Sequence, residues 1–291
     1  MSDGASDGDM LKLKPLHPLF GAEIAGLDLR NPLDDATFNA VLDAFNTHSV
    51  LLFRNQELSD KQHVDFSRRF GELEETTFSI AAPNRYIYRL ANVDDDGNVL
   101  EMDAVKRLFL EVNGRWHTDS SFRANPALGS ILSGKEVPSN EGDTCFASMR
   151  VAYEAMSEGR RKSLEGMRGV HNYAYSLSLF DTSGVTQEEM DSVPPVEHPI
   201  VRMHPPTGKK SLYVSGHIER IVGMPVEEGR LFVKELIGWC TRPEYVYTHR
   251  WQQHDLLMWD NRCVLHRASS VPAKQKRIMH RTTIAGQGPV A

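Results

Sequence analysis

The chain has 291 residues, a formal net charge of −6 and a hydrophobic fraction of 40%, which is enough to bury a sizeable core. With 39 carboxylates against 33 basic side chains, neither nucleic acid nor an anionic membrane surface is expected as a partner. No apolar run approaches the ~20 residues that span a bilayer, and Cys145, Cys240 and Cys263 have neither an even count nor a short metal spacing, which points to reduced thiols and a cytoplasmic location.

Met1 to Asp9 is small and acidic, without the basic start and apolar run of a secretory leader. Residues 1–10 are expected to be disordered and residues 11–291 to form one domain. Residues 34–48 carry Phe38, Val41, Leu42 and Phe45 at helical spacing, and 49–53 are an apolar run read as a buried strand. Residues 59–70 read as a helix capped by Ser59 and ended by Gly71. The stretch 72–112 reads as irregular, with Asp94-Asp95-Asp96-Gly97 a solvated turn that lacks the spacing of a calcium loop. A strand is expected at 128–133 and mainly helix at 150–167. Residues 180–199, with Gly184, Pro194, Pro195 and Pro199, form a candidate lid or surface loop. A strand at 211–215, a helix at 226–241 and strands at 245–250 and 255–259 follow. Many short strands with few helices predict a mainly β fold, a double-sheet barrel with flanking helices. There is no internal repeat or low-complexity tract.

Two distant segments carry the chemistry. Trp116-His117-Thr118-Asp119 holds an imidazole and a carboxylate two residues apart, which a strand would direct to one side. His266, at the end of Trp259-Asp260-Asn261-Arg262-Cys263-Val264-Leu265-His266, can complete one face of an octahedron and leave three positions open. That is the 2-His-1-carboxylate triad of non-haem Fe(II) oxygenases. A bare His-X-Asp is a weak signal, and a surface turn is its ordinary reading. What strengthens it is Arg277 and Arg281, which a strand over 277–286 places on one face, about 13 Å apart. Two inward arginines require anions, and the guanidinium fork binds carboxylates bidentately. Lys274 and Lys276 read as solvated loop residues, and Cys263 as a small buried apolar group.

These motifs resemble the Fe(II)/2-oxoglutarate-dependent dioxygenases of the taurine dioxygenase and 2,4-dichlorophenoxyacetate dioxygenase family. The likeness runs from about Leu16 to Gly286 and includes Trp116 through Phe122, Gly142-Asp143-Thr144, Ala147-Ser148-Met149, Trp259 through Arg262, His266, Arg277 and Arg281. Residues 15–20, 49–54, 194–196 and 259–267 resemble the herbicide branch more than the taurine branch. The resemblance implies a double-stranded β-helix (jelly-roll, cupin-like) core, with His117, Asp119 and His266 as iron ligands. It implies that Arg277 pairs with the distal carboxylate of 2-oxoglutarate, that Thr144 helps hold it, and that Arg281 lies near the metal-side carboxylates and grips an anionic substrate. Asn113 matches an active-site asparagine of the taurine branch.

The implied reaction consumes Fe(II)-activated O2 and 2-oxoglutarate, releases succinate and CO2, and hydroxylates a small anionic acid; ascorbate is expected as a stimulant. An aryloxyacetate such as 2,4-dichlorophenoxyacetate is the expected substrate, giving a phenol and glyoxylate. Phe78, Ile80, Leu108, Phe109 and Phe122 are candidates for its apolar wall, and Ser121 and His217 for polar contacts, against ordinary core roles for each. Asp119 argues against halogenation, since related halogenases replace the carboxylate. The four closed N/S ligands of structural zinc are absent. One departure concerns Glu75-Thr76-Thr77-Phe78-Ser79-Ile80, where the taurine branch places a His and a Tyr and the herbicide branch often a basic residue. The alternatives are a sulfonate, alkylsulfate or other carboxylic-acid dioxygenase of the same family and, remotely, a non-enzymatic metal-binding barrel. A homo-oligomer is expected from the family. His17, His48, His63, His171, His198, His204, His249 and His254 are expected in structural or surface roles, with His171 and His204 the two that could face the cavity.

Overall fold

A computed structural model of the protein describes residues 11–75, 84–94, 96–99, 111–180, 186, 188, 193–270 and 275–290. The expectation of disorder for residues 1–10 lies outside these. The first half contains β1 (Lys12–Pro15), β2 (Ala22–Ala25), α1 (Asp35–His48), β3 (Val50–Phe53), α2 (Asp60–Arg68), β4 (Tyr88–Ala91), β5 (Gly129–Glu136) and β6 (Thr144–Ser148). It continues through α3 (Met149–Glu154), α4 (Glu158–Leu164), β7 (Arg168–His171), α5 (Tyr173–Ser178), β8 (Val196–Pro199), β9 (Val201–His204), β10 (Lys209–Leu212) and β11 (Ile218–Ile221). Last come α6 (Val226–Cys240), a short 3-10 turn, β12 (Val246–His249), β13 (Leu256–Asp260), β14 (Val264–Ala268) and β15 (Ile278–Ile284).

A seven-stranded sheet in the order β1-β2-β3-β13-β5-β15-β4 forms one wall, and smaller sheets, β12-β6-β14 and β11-β7-β8 among them, complete a jelly-roll core with flanking helices. The central strands are buried on both faces, so they read as continuous apolar runs. Their alternation sorts two cores. Leu51, Phe53, Ile131, Leu256 and Met258 pack outward against Phe38, Val41 and Phe45 of α1 and Phe66 of α2. Val50, Leu52, Leu132, Leu257 and Trp259 point inward to meet Phe146, Val264 and Met279. A third core joins α3 and α6 to β10 and β11 through Met149, Leu212, Ile221, Val233 and Leu236.

Local chemistry accounts for the helix ends. Asp34 accepts from Thr37 N–H at the start of α1, and Ser49 closes it at φ 65°. Ser59 and Gln62 form a capping box on α2. That helix ends at Arg68, before the Gly71 expected to stop it. The mainly helical stretch expected over 150–167 is built as two helices, because Ser157 caps a new start by accepting from Arg160 N–H. Within the stretch read as irregular lies β4, an edge strand paired only to β15 and half-buried throughout, which gives it little apolar signature. The proposed lid ends in β8, while most of 181–192 lies outside the described residues. Among the described residues no helix is long and apolar enough to cross a membrane.

Candidate active site

The two chemical segments meet through the backbone. His117 N–H donates to His266 O at 3.0 Å and His266 N–H returns the bond to His117 O at 2.8 Å. This isolated bridge joins residue 117 to β14, whose partner β6 lies behind it. His117 and Asp119 do not share a regular strand as expected. Asp119 begins a turn, with Ser120 at φ 54°, and the carboxylate reaches the imidazoles by that reversal.

The ligand atoms of His117, Asp119 and His266 lie within 4.8 Å of one another, and all three residues are buried. His117 Nε2 is 3.9 Å from Asp119 Oδ1, and His266 Nε2 is 3.7 Å from Oδ2. His117 Nδ1 donates to Arg115 O at 2.8 Å, which leaves the Nε2 lone pair facing the carboxylate. His266 Nδ1 has no partner among the described residues. Its ring is walled by Trp259 at 4.6 Å and Phe146 at 6.4 Å. Burial pushes both imidazole pKa values below their ordinary value. Burial alone would raise that of the Asp119 carboxyl. The cationic Arg281, then His266, His117 and the Ser130 hydroxyl outweigh it and hold the carboxyl well below its usual range. Two imidazoles and one carboxylate, buried together with their ligand atoms within 4.8 Å, fit a divalent cation such as Fe(II).

A hydrogen-bonded frame holds this set. Ser130 Oγ donates to Asp119 Oδ2 at 2.6 Å and accepts from Asn261 Nδ2 at 2.9 Å. Asn261 Oδ1 accepts from Trp259 Nε1 at 2.9 Å and from Asp119 N–H at 3.2 Å, while Thr118 Oγ1 donates to Asn261 O at 2.7 Å. Ser130 has no sequence signal, because a serine inside an apolar strand looks like core. Asn261 stood within a noted motif but without a reason to bond Asp119.

The arginines divide. Arg277 is 9% exposed, and its Nε is buried without a partner among the described residues. Burial pushes its pKa down to about 10. A β-carbon at Gly142 (φ +70°) would lie 3.6 Å from Arg277 Cδ. Nearby on β6, Thr144 Oγ1 accepts from Trp251 Nε1 at 3.0 Å, which leaves its hydroxyl proton to donate elsewhere. Trp251 was not foreseen. Arg281 donates from Nη1 to Asp119 Oδ1 at 2.9 Å and lies 5.2 Å over the Tyr88 ring.

Of the substrate candidates, Phe122 packs edge-on against His217 at 5.0 Å and beside Tyr173 at 4.6 Å. The His217 ring is 5.8 Å from that of His117, its Nδ1 is 2.6 Å from Ser176 Oγ, and burial pushes its pKa down to about 3. A small cavity between these two histidines is lined by Val112, Arg115, Ser176 and Phe180. Ser121 Oγ is buried without a partner among the described residues, and Asn113 is half-buried. Phe78, Ile80, Leu108 and Phe109 lie outside the described residues.

A second cluster, His204, Asp260 and Cys263, also brings three donors within 4.8 Å. Its groups are already committed. Arg262 donates to both Asp260 oxygens at 2.8 and 2.7 Å, His204 Nε2 lies 2.9 Å from Oδ2, and Cys263 Sγ is 3.3 Å from Ser49 Oγ. His204 is therefore a structural residue. His171 is buried against His198 and Tyr213.

Residues 12–283 match the family model described as taurine catabolism dioxygenase TauD, TfdA family. The chain is 39% identical over 274 residues to an alpha-ketoglutarate-dependent 2,4-dichlorophenoxyacetate dioxygenase of Cupriavidus pinatubonensis, covering 92% of this chain and 96% of that protein. It is 34% identical to an (S)-phenoxypropionate/alpha-ketoglutarate-dioxygenase of Delftia acidovorans, with 95% and 96% covered. The fold superposes with a TM-score of 0.89 on a crystal structure of AAD-2 in complex with Mn(II) and N-oxalylglycine, at 37% identity, covering 97% of this chain and 98% of that one. The chain belongs to the TauD/TfdA family of dioxygenases and is an enzyme that requires Fe(II), 2-oxoglutarate and O2.

Proposed function

We propose that the enzyme hydroxylates a small anionic acid, with an aryloxyacetate such as 2,4-dichlorophenoxyacetate as the substrate that fits best. In this reading His117, Asp119 and His266 hold Fe(II), and Arg277 with Thr144 holds the distal carboxylate of 2-oxoglutarate. The observation that supports it most is the pairing of a buried N2O donor set with Arg277, a buried guanidinium that no carboxylate meets among the described residues. An unmatched charge of that kind calls for an anion supplied from solution.

The bound Fe(II) supplies O2 activation, coupling decarboxylation of 2-oxoglutarate to hydroxylation of a substrate C–H bond. The chain's own residues orient and enclose. The Arg115 carbonyl fixes the His117 tautomer, and Ser130 and Asn261 fix the Asp119 carboxylate. Arg281 neutralises Asp119 from the side, so the charge of that carboxylate does not repel incoming acids. Trp259 and Phe146 keep water from His266. Phe122, beside His217, offers a flat apolar face to an aromatic substrate. Hydroxylation of the carbon between ether oxygen and carboxylate gives a hemiacetal that collapses to a phenol and glyoxylate.

The test is anaerobic titration with Fe(II) and 2-oxoglutarate, followed by O2 and phenoxyacetate. A weak visible charge-transfer band, absent in His117→Ala, is expected, followed by equal succinate and phenol. Succinate without phenol, or with taurine as the better substrate, would keep the dioxygenase and remove the aryloxyacetate.

A further inference from the structure

We infer that Arg115 is an anchor for the substrate's anionic group, and that its position on the His217 side of the site favours anions with an apolar body. This rests on the small-acid reading above and names the residue that recognises the acid.

Arg277 lies deep beside Gly142, where the co-substrate's carboxylate would meet it. Arg281 is in contact with Asp119. Arg115 differs from both. It is half-buried, it lines the cavity that His117 and His217 share, and no carboxylate pairs with it among the described residues. Its guanidinium carbon is 3.8 Å from where a β-carbon at Gly216 would stand and 5.8 Å from the centre of the Phe180 ring. Gly216 thus keeps the approach to the guanidinium open, and Phe180 holds it in place.

Among the described residues that line this cavity, Arg115 is the cationic one. The Ser176 hydroxyl and His217 Nδ1 are committed to each other at 2.6 Å. Val112 and Phe180 supply apolar surface to the cavity that Arg115 lines, and Phe122 packs against His217 on its border. A part-buried guanidinium flanked by apolar walls favours a carboxylate or sulfate on a hydrophobic body over a neutral analogue. The Arg115 side chain is also free to change without loss of the bond that orients His117, because that bond comes from its backbone carbonyl.

The experiment uses enzyme loaded with Mn(II) and N-oxalylglycine, which holds the site assembled without turnover. Calorimetry compares phenoxyacetate, 2-phenoxypropionate and hexyl sulfate with neutral phenoxyacetamide for wild type, Arg115→Gln and Arg115→Lys. The N-oxalylglycine affinity of each variant serves as the check on folding. The wild type is expected to favour an anion over the amide, Arg115→Gln to reduce that preference about 10- to 100-fold, and Arg115→Lys to restore most of it. If hexyl sulfate is the favoured anion and Arg115→Gln abolishes the preference, Arg115 is the anchor and the aryloxyacetate reading fails. If phenoxyacetate is favoured and Arg115→Gln leaves the preference intact, the reading stands and the Arg115 anchor is overturned. No preference for any anion in the wild type would also overturn it.

Discussion

Ser130 Oγ donates to Asp119 Oδ2 across 2.6 Å, so the carboxylate of the proposed metal set is aimed by a serine on the neighbouring sheet wall. Asn261 donates in turn to that hydroxyl. Removing a group that orients a ligand typically reduces metal affinity about 10- to 100-fold. Ser130→Ala is expected to weaken Fe(II) or Mn(II) binding by that factor, with a smaller change in 2-oxoglutarate affinity at saturating metal. Unchanged metal affinity by calorimetry would remove Ser130 from the site's support.

Arg277 should display a conflict between stability and function. A buried guanidinium without its anion is destabilising, and an apolar replacement of similar length relieves that by about 1–4 kcal/mol. Arg277→Met is expected to raise the unfolding free energy of the ligand-free enzyme. In the wild type with Mn(II), 2-oxoglutarate at about 100 times its Kd should add ~2.7 kcal/mol, and the variant should lose this gain. Equal stabilisation of both proteins by 2-oxoglutarate would show that the co-substrate's carboxylate does not use Arg277.

His63 predicts acid sensitivity away from the metal. It is fully buried between α2 and β15, with Nε2 3.2 Å from Thr282 Oγ1, and burial pushes its pKa down to about 3. The unfolded chain takes up this proton near pH 6.5 and the folded chain does not, so the contribution is complete above pH 6.5 and declines as pH falls toward 3. Each such group imposes a slope of up to about 1.4 kcal/mol per pH unit. Buried His171 and His217 shift in the same direction. Urea unfolding at pH 8, 6.5 and 5 should show falling stability, with a shallower fall in His63→Gln. An identical slope in both proteins would exonerate His63.

Gly286 permits the chain after β15 to press against the segment entering β5. A β-carbon there would stand 2.1 Å from Pro126 O, a contact with backbone that no side-chain rotation relieves. Gly286→Ala is expected to lose about 3 kcal/mol or more in denaturant unfolding. Gly166, whose β-carbon would meet nothing within 4 Å but whose φ is +79°, should show only the smaller backbone effect.

Local patterns in the chain specify the donor residues and most of the elements. Helical spacing and a side-chain cap define α1, capping chemistry starts α2, and continuous apolar runs mark the doubly buried β3 and β13. These are local properties, set by a few neighbouring residues and by period. The identities of His117, Asp119, His266, Arg277 and Arg281 were equally legible, since metal and carboxylate chemistry restricts which side chains serve. Tertiary structure decided what depends on contacts between distant segments. It alone shows that Asp119 arrives through a turn, that Ser130 and Asn261 aim it, and that Trp251 holds Thr144. It also shows that Arg281 meets Asp119, whereas Arg115 stands beside His217 with no carboxylate partner among the described residues. A hydrogen bond or ion pair between residues more than a hundred positions apart leaves no periodicity in the chain. Which neighbours each of these chemically identical guanidinium groups meets is fixed only when the fold brings distant segments together.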